Sequence, residues 1–546
     1  MGGKRKRLPR SSSRSGSTPG RGKDRRLETS RRIGPSSTPS KVAPTPKETK
    51  RARGVGLYIL GLVLLVGGAL RVWLSLNDDG VFWPDEIFQS LEPAHRVVFG
   101  YGLVAWEFVQ GARNWTFAGF VAALFEIARS FGSDDSRAYL WLTRLTFSAI
   151  SVATAFGVYR LARSHGAATV AAACGAALFA LAAPMIYFAP RAMSETASAL
   201  PVVFGFSFAS PRQASARAQA LGTSLLGLSV LLRLQNGIFC VGLLAILAAR
   251  RDFRAFTQAG LTLGIWAVLF GVLDRLTWGE WFQSAIVYAR VNLSPEVERV
   301  MGSAPFDYYA HVLWTSMPAA AVFMVCLSVA AIRRTPGLFA TALAFALAHG
   351  AFPHKEFRFL LPALPLFCGL GAIGLDEIQK FSERWISPDR TLDLKWVAPS
   401  LSVALLISAG LSAADFHSLT FSDIGQFNAR ASASAYDHPG SVNRLLLLAG
   451  RQTDLCGVKV ETAGLEVTGG YSYLHRPVPM YPPSGPSRES GYFNYVIAAR
   501  DPAPAGDVRA VDGPVALVRL GQKCLVDARF DWRLPLGLTM SIPGGQ

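Results

Sequence analysis

The chain has 546 residues, half of them hydrophobic and only 17% charged, whereas a soluble domain averages about 25% charged. Its mean hydropathy is +0.28, and its apolar residues come in blocks of about 20, the length that crosses a bilayer, which excludes a soluble enzyme. The net charge of +18 is not that of a nucleic-acid-binding surface, because residues 1–53 hold seventeen Lys or Arg against three acids, or +14 of the total.

That N-terminal segment opens on KRKR and continues in Ser, Gly, Pro and Arg. It lacks the large apolar residues needed to bury a core and has no aromatics interleaved for base stacking, so a disordered cytoplasmic tail beside anionic lipid is expected over 1–53, with no nucleic-acid partner. About eleven apolar spans follow, near 54–76, 138–160, 167–189, 192–210, 218–234, 236–250, 257–275, 311–331, 336–353, 359–378 and 396–415. With the basic tail inside, the even loops are cytoplasmic. They are short and carry Arg160, Arg163, Arg212, Arg217, Arg250, Arg251, Arg254, Arg333 and Arg334, as the positive-inside rule requires. The first outer loop also carries Arg96, Arg113, Arg129 and Arg137, but it is long and contains acids, so it weighs less. Residues 416–546 are polar, with short β-branched runs such as GVKVETAGLEV, and predict a small mixed or β-rich domain on the outer face. Cys456 and Cys524 lie in it. An outer compartment permits a disulfide between them, and two free thiols are as compatible with the pattern. No Cys/His spacing suits zinc, and no glycine-rich loop opens a helix after a strand, so neither a metal nor a nucleotide cofactor is expected.

The unusual polar residues gather in the outer loops. The first, from Phe82, reads FWPDEIFQSLEPAHRVVFGYGLVAWEF. It places Asp85 and Glu86 side by side, then Glu92, His95, Trp106 and Glu107. Aromatics with interspersed carboxylates suit an amphipathic helix in the membrane interface, and equally a sugar site with stacking rings and hydroxyl acceptors. APRAMSE brings Arg191, Ser194 and Glu195, and LLRLQNG brings Arg233 between two apolar runs. A mutually satisfied Arg–Glu pair explains the first as readily as a site role. The loop FPHKEFRF sets His354, Lys355, Glu356 and Arg358 within five residues, a candidate phosphate clamp. Charges at the rim, not at the midplane of broken helices, favour a membrane enzyme acting on a lipid-linked phosphate over a transporter.

PDEIFQSLEPAHRVVFGYGLVAWEF, RAMSE and HKEFRFLLPALPLF together resemble glycosyltransferase family 22, over roughly residues 54–415. This family comprises polytopic mannosyltransferases of GT-C type, and the first loop is most similar to the branch that adds the third mannose of the GPI anchor. Leu234-Gln235-Asn236 after Arg233 departs from the family's proline-containing motif. The resemblance implies an all-α polytopic membrane protein with amphipathic helices in the first outer loop. It implies an inverting transfer of mannose from a polyprenyl (dolichyl-type) phosphate donor to a glycan or glycolipid acceptor on the non-cytoplasmic face. Asp85, then Glu86, is implied as the catalytic base. His354, Lys355, Arg358 and Arg191 are implied for the donor phosphate, and Trp106, Glu107, Glu92 and His95 for the acceptor sugar. The composition, rich in Ala, Arg and Gly, points to a bacterial inner membrane; in a eukaryote the place would be the ER membrane. A flippase for lipid-linked sugars and a GT-C transferase of another sugar are the alternatives.

Overall fold

The computed structural model describes residues 49–132, 135–294, 302–384, 396–426, 431–436, 440–502 and 505–533. The expectation for residues 1–48 therefore lies outside the described residues. The last four residues assigned to the tail, Lys50–Arg53, instead begin the first helix, where Thr49 accepts a hydrogen bond from the Ala52 N–H at 3.2 Å and caps it.

Helices dominate. In chain order they are α1 (Lys50–Asn77), α2 (Glu92–Phe99), α3 (Trp115–Ser130), α4 (Ser136–Ser164), α5 (Thr169–Ala180), α6 (Ser194–Ala209), α7 (Ala216–Leu232), α8 (Gly237–Ala249), α9 (Phe253–Trp278), α10 (Gln283–Asn292), α11 (Tyr308–Ser316), α12 (Pro318–Ala330), α13 (Pro336–Ala351), α14 (Leu364–Arg384), α15 (Val397–Ala414) and α16 (Gly440–Gly450). Each apolar stretch expected from the sequence falls on helix. Four of the helices, α1, α4, α9 and α15, are long and apolar enough to cross a membrane unaided. Shorter ones arise where a span is broken. The stretch 167–189 stops at Ala180 and resumes at Ala183 beside Pro184, because proline cannot continue a helix. Arg71 of α1 fills the break. Its guanidinium donates to the carbonyls of Ala180 (2.6 Å) and Met185 (3.2 Å), groups that in lipid would otherwise lack partners. Helices α6 and α7 meet across small residues. A Cβ added at Gly222 would lie 2.5 Å from the Gly205 carbonyl, so glycine is what permits that approach.

The expected amphipathic segment of the first outer loop is present as α2, with Val97 exposed and Glu92 and His95 fully buried. Beyond α15 a five-stranded sheet forms from β1 (Val458–Val460), β2 (Met480–Tyr481), β3 (Tyr495–Ala499), β4 (Asp507–Asp512) and β5 (Val515–Arg519), in the order β2-β1-β3-β5-β4. It is mixed. β1 runs parallel to β2 and β3, while β5 is antiparallel to β3 and β4. Cys456 and Cys524 form a disulfide across 68 residues. One apolar core joins this sheet to the first outer loop. Val81, Ile87, Leu91, Phe117 and Tyr139 pack with Leu445, Val458, Tyr471 and Ile497, so the core runs through the boundary expected at 416.

Candidate active site

The turn Pro84–Glu86 follows α1 directly, with proline at its first position, where a missing N–H costs nothing. It presents Asp85 and Glu86 to different surroundings. Asp85 meets the Arg358 guanidinium. Arg358 lies on a short 3-10 turn, Phe357–Leu360, ahead of α14. It also donates through Nη1 to Glu195 at 2.8 Å, through Nε to Glu356 at 2.6 Å and through Nη2 to Glu356 at 2.9 Å. Glu195 opens α6 and holds a second cation, Arg233, at 2.6 Å, while His354 lies 3.0 Å from Glu356. Residues from four separate parts of the chain thus form one ionic cluster. Burial pulls the Arg358 guanidinium down, but Asp85, Glu356 and Glu195 outweigh it and leave its pKa above the ordinary value. Burial likewise pushes Glu356 up, but Arg358 and His354 prevail and hold it at about 2.

Glu86 points away from this cluster. Its carboxylate accepts from the Ala192 N–H at 3.3 Å and lies 3.8 Å from Arg191. Burial raises its pKa above the usual carboxylate value, with Arg191 opposing. Arg191 in turn holds Asp78 at 2.8 Å and stacks over the Tyr187 ring.

The residues implied for the acceptor separate. Glu107 is buried, accepts from the Gln89 amide at 3.1 Å, and is pushed up to about 7 by burial. Trp106 sits half-buried beside it. Glu92 and His95 are placed elsewhere. The Glu92 carboxylate accepts from the N–H groups of Leu103 (2.6 Å) and Ser472 (3.0 Å), and burial raises it to about 7. His95 contacts the Tyr101 carbonyl at 2.9 Å and His475 at 3.0 Å. Both side chains bind the outer loop to the chain's C-terminal part, apart from the ionic cluster. Lys355 also departs from the expected phosphate clamp. Its ammonium is buried and donates to the carbonyls of Ala304 (2.5 Å) and Pro353 (3.4 Å), because the backbone is extended at Glu356 (φ −139°, ψ 147°) and successive side chains there point to opposite sides. Arg191 is likewise engaged by Asp78 and Glu86 instead of standing in the HKEFRF loop.

Two cavities adjoin the cluster. A tight one of about 40 Å³ has a mixed lining, with Gln89, Arg113, Ser194, Arg233, Gln235 and Tyr288 among apolar residues such as Phe117 and Leu231. A larger apolar one of about 580 Å³ is lined by residues including Ile238, Leu293, Ala348, Phe352, His354 and Phe359. Leu234, Gln235 and Tyr288 line both, and the Gln235 amide hydrogen-bonds the Tyr288 hydroxyl at their junction. From the sequence Arg233 stands out only as a charge between apolar runs and Arg113 as a charge of the first outer loop, neither with a role at this site. The signal available was an arginine inside the apolar run LLRLQNG, costly unless it serves a purpose. Among the described residues no group of three or more His, Cys, Asp or Glu is arranged to hold a metal ion.

The family described as the Alg9-like mannosyltransferase family matches residues 62–442. The chain is 27% identical over 331 residues to "GPI mannosyltransferase 3" of Yarrowia lipolytica, covering 59% of this chain and 64% of that one. It is 25% identical over 357 residues to "GPI alpha-1,2-mannosyltransferase 3" of Homo sapiens, covering 62% of each. It thus spans somewhat less than two thirds of these relatives. Among solved structures, ArnT from Cupriavidus metallidurans bound to undecaprenyl phosphate aligns with a TM-score of 0.54 at 14% identity, over 86% of this chain and 98% of that one. The Archaeoglobus fulgidus oligosaccharyltransferase aligns with a TM-score of 0.51 at 13% identity, over 83% and 70%. These likenesses show a shared GT-C fold.

Proposed function

The chain belongs to the Alg9-like mannosyltransferase family, and on that premise we propose that it moves a mannosyl residue from a polyprenyl (dolichyl-type) phosphate donor to a glycan or glycolipid acceptor, with inversion. An acceptor hydroxyl attacks the anomeric carbon, the bond from that carbon to the donor phosphate breaks, and the proton passes to a carboxylate. The polyprenyl phosphate leaves as an anion and needs charge stabilisation more than a proton.

The observation that carries this reading is the unequal exposure of the carboxylates. The Asp85 side chain is 24% exposed, against 5% for Glu86, 1% for Glu195 and 14% for Glu356. Asp85 is therefore the acid an acceptor hydroxyl reaches, and Arg358 orients it. Glu86, sealed against Arg191, serves as a support. Glu107 and Trp106, near Asp85, take the acceptor sugar. The reaction proceeds on the non-cytoplasmic face, with the N-terminus inside. The Cys456–Cys524 disulfide supports that orientation, since such bonds persist in oxidising compartments. The named relatives are transferases and lend nothing to a flippase.

The test is incubation of the purified chain with labelled polyprenyl-phosphate-mannose and a membrane glycolipid fraction. Transfer that falls by about 10²–10⁴-fold in Asp85→Asn, as for loss of a general base, with membrane insertion intact, is the expected result. Near-normal transfer by that variant refutes the assignment.

A further inference from the structure

Spans five and six are joined by a tight turn at Arg233, and this break in the helix carries features that the ionic cluster leaves unused. Helix α7 ends at Leu232, Arg233 is extended (φ −152°, ψ 113°), a 3-10 turn covers Leu234–Asn236, and α8 begins at Gly237. Irregular backbone in a membrane segment is tolerated where it lines a cavity, and this one lines both cavities described above. Arg233 is buried, with a 4% exposed side chain. Its Nη1 is engaged by Glu195, but its Nε and Nη2 have no hydrogen-bond partner. Leaving such donors unmade inside a protein is costly, and a native structure retains them for a reason. Arg113 lines the same cavity. Its Nε is also buried without a partner, and its nearest acid, Glu107, lies 3.9 Å away. The positive end of the 13-residue helix α8 starts at the same place, and its N-cap Asn236 makes no side-chain capping bond. Two guanidiniums with open donors on one small cavity make an anion site. The apolar cavity that shares Leu234, Gln235 and Tyr288 with it suits a hydrocarbon chain attached to that anion.

We propose that Arg233 and Arg113, at the break between α7 and α8, seat the phosphate of the polyprenyl-linked donor, with its lipid running into the adjoining apolar cavity. This rests on the transferase reading and refines it. The phosphate is held by a pair of arginines outside the HKEFRF loop, and Arg358 is left to fix the carboxylates.

Thermal protection of the full-length protein in detergent, titrated with undecaprenyl phosphate, undecaprenol or inorganic phosphate, tests the seat. Wild type is expected to be protected by undecaprenyl phosphate and not by undecaprenol. Arg233→Gln and Arg113→Gln should each weaken that binding by about tenfold or more, the worth of one hydrogen bond to a charged group. Arg113, 25% exposed and without a close ion pair, keeps the test decisive if Arg233→Gln fails to fold. Asp85→Asn should bind undecaprenyl phosphate as wild type does while losing transfer. Binding within twofold of wild type in either arginine variant overturns the proposal, as does equal protection by undecaprenol. Protection by inorganic phosphate with no preference for the lipid assigns the seat to a free anion and overturns the donor assignment. Normal undecaprenyl phosphate binding without any mannose transfer would leave the seat standing and sink the transferase reading instead.

Discussion

Replacing Arg358 by Gln withdraws one cation from among three carboxylates. Glu195 retains Arg233, and Glu356 retains His354. Asp85 has no other cation within 4.0 Å among the described residues. Removing one partner of a buried ion pair costs about 3–5 kcal/mol, because the stranded charge keeps its desolvation penalty. Here the lower end applies, since Asp85 is 24% exposed and water takes up part of its charge. About 3 kcal/mol is a loss of roughly 150-fold in the folded-to-unfolded ratio. Equilibrium unfolding in mixed micelles, followed by tryptophan fluorescence, measures it. A companion variant, Arg358→Gln with Asp85→Asn, removes the stranded carboxylate and should recover more than about 1 kcal/mol. Stability of the single variant within about 0.5 kcal/mol of wild type, the spread of neutral surface changes, would refute the idea that Arg358 holds the cluster together. So would a double variant less stable than the single.

Gly470 has φ +53°, and a Cβ there would lie 2.5 Å from the Glu92 carboxylate. Gly470→Ala should therefore cost about 2–4 kcal/mol, from the left-handed backbone and a displaced acceptor, and a wild-type melting temperature in detergent would contradict the contact. Glu92 and Glu107 are both raised to about 7 from an ordinary 4.5. An unfolded chain ionises them first, so stability should decline as pH rises from about 4.5 to about 7 and then level off. Glu92→Gln should flatten that decline, and an unchanged slope in its pH–melting profile would exclude Glu92 as a source. His95, lowered by burial to about 3, acts in the opposite sense, its contribution being lost as pH falls below about 6.5. Reducing Cys456–Cys524, which spans 68 residues, should destabilise the sheet by about 4 kcal/mol. Limited proteolysis with and without reductant would show it, and identical patterns would argue against a structural role.

Helix was legible in the apolar runs, because such a run in a membrane chain has one way to satisfy its backbone, but not in the outer segments Gln283–Asn292 and Gly440–Gly450. Asp85, Arg358 and His354 were legible too, since charges flanked by lipid-length apolar runs need a reason. The separation of Glu92, His95 and Lys355 from the ionic cluster has a common cause. Glu92 and His95 find partners about 380 residues away, in Ser472 and His475, and no local pattern announces a contact at that separation. Lys355 belongs to a motif of cations, but a single-residue reversal of side-chain direction turns it onto carbonyls. Arg113 and Arg233 escaped for another reason. Their significance lies in nitrogens left without partners, a property of three-dimensional surroundings that residue type alone does not carry.

The tie between Glu92 and Ser472 bears on the order in which the molecule is made. The loop that holds Asp85 emerges early in synthesis, whereas the N–H groups that complete its supporting carboxylate arrive 380 residues later. A nascent chain halted before residue 470 therefore carries every residue of the ionic cluster and still lacks the brace beneath its first loop. Until Ser472 has been made and folded into place, the Glu92 carboxylate beneath that loop keeps only the Leu103 N–H of these two partners, so the loop's final shape waits on the end of the chain.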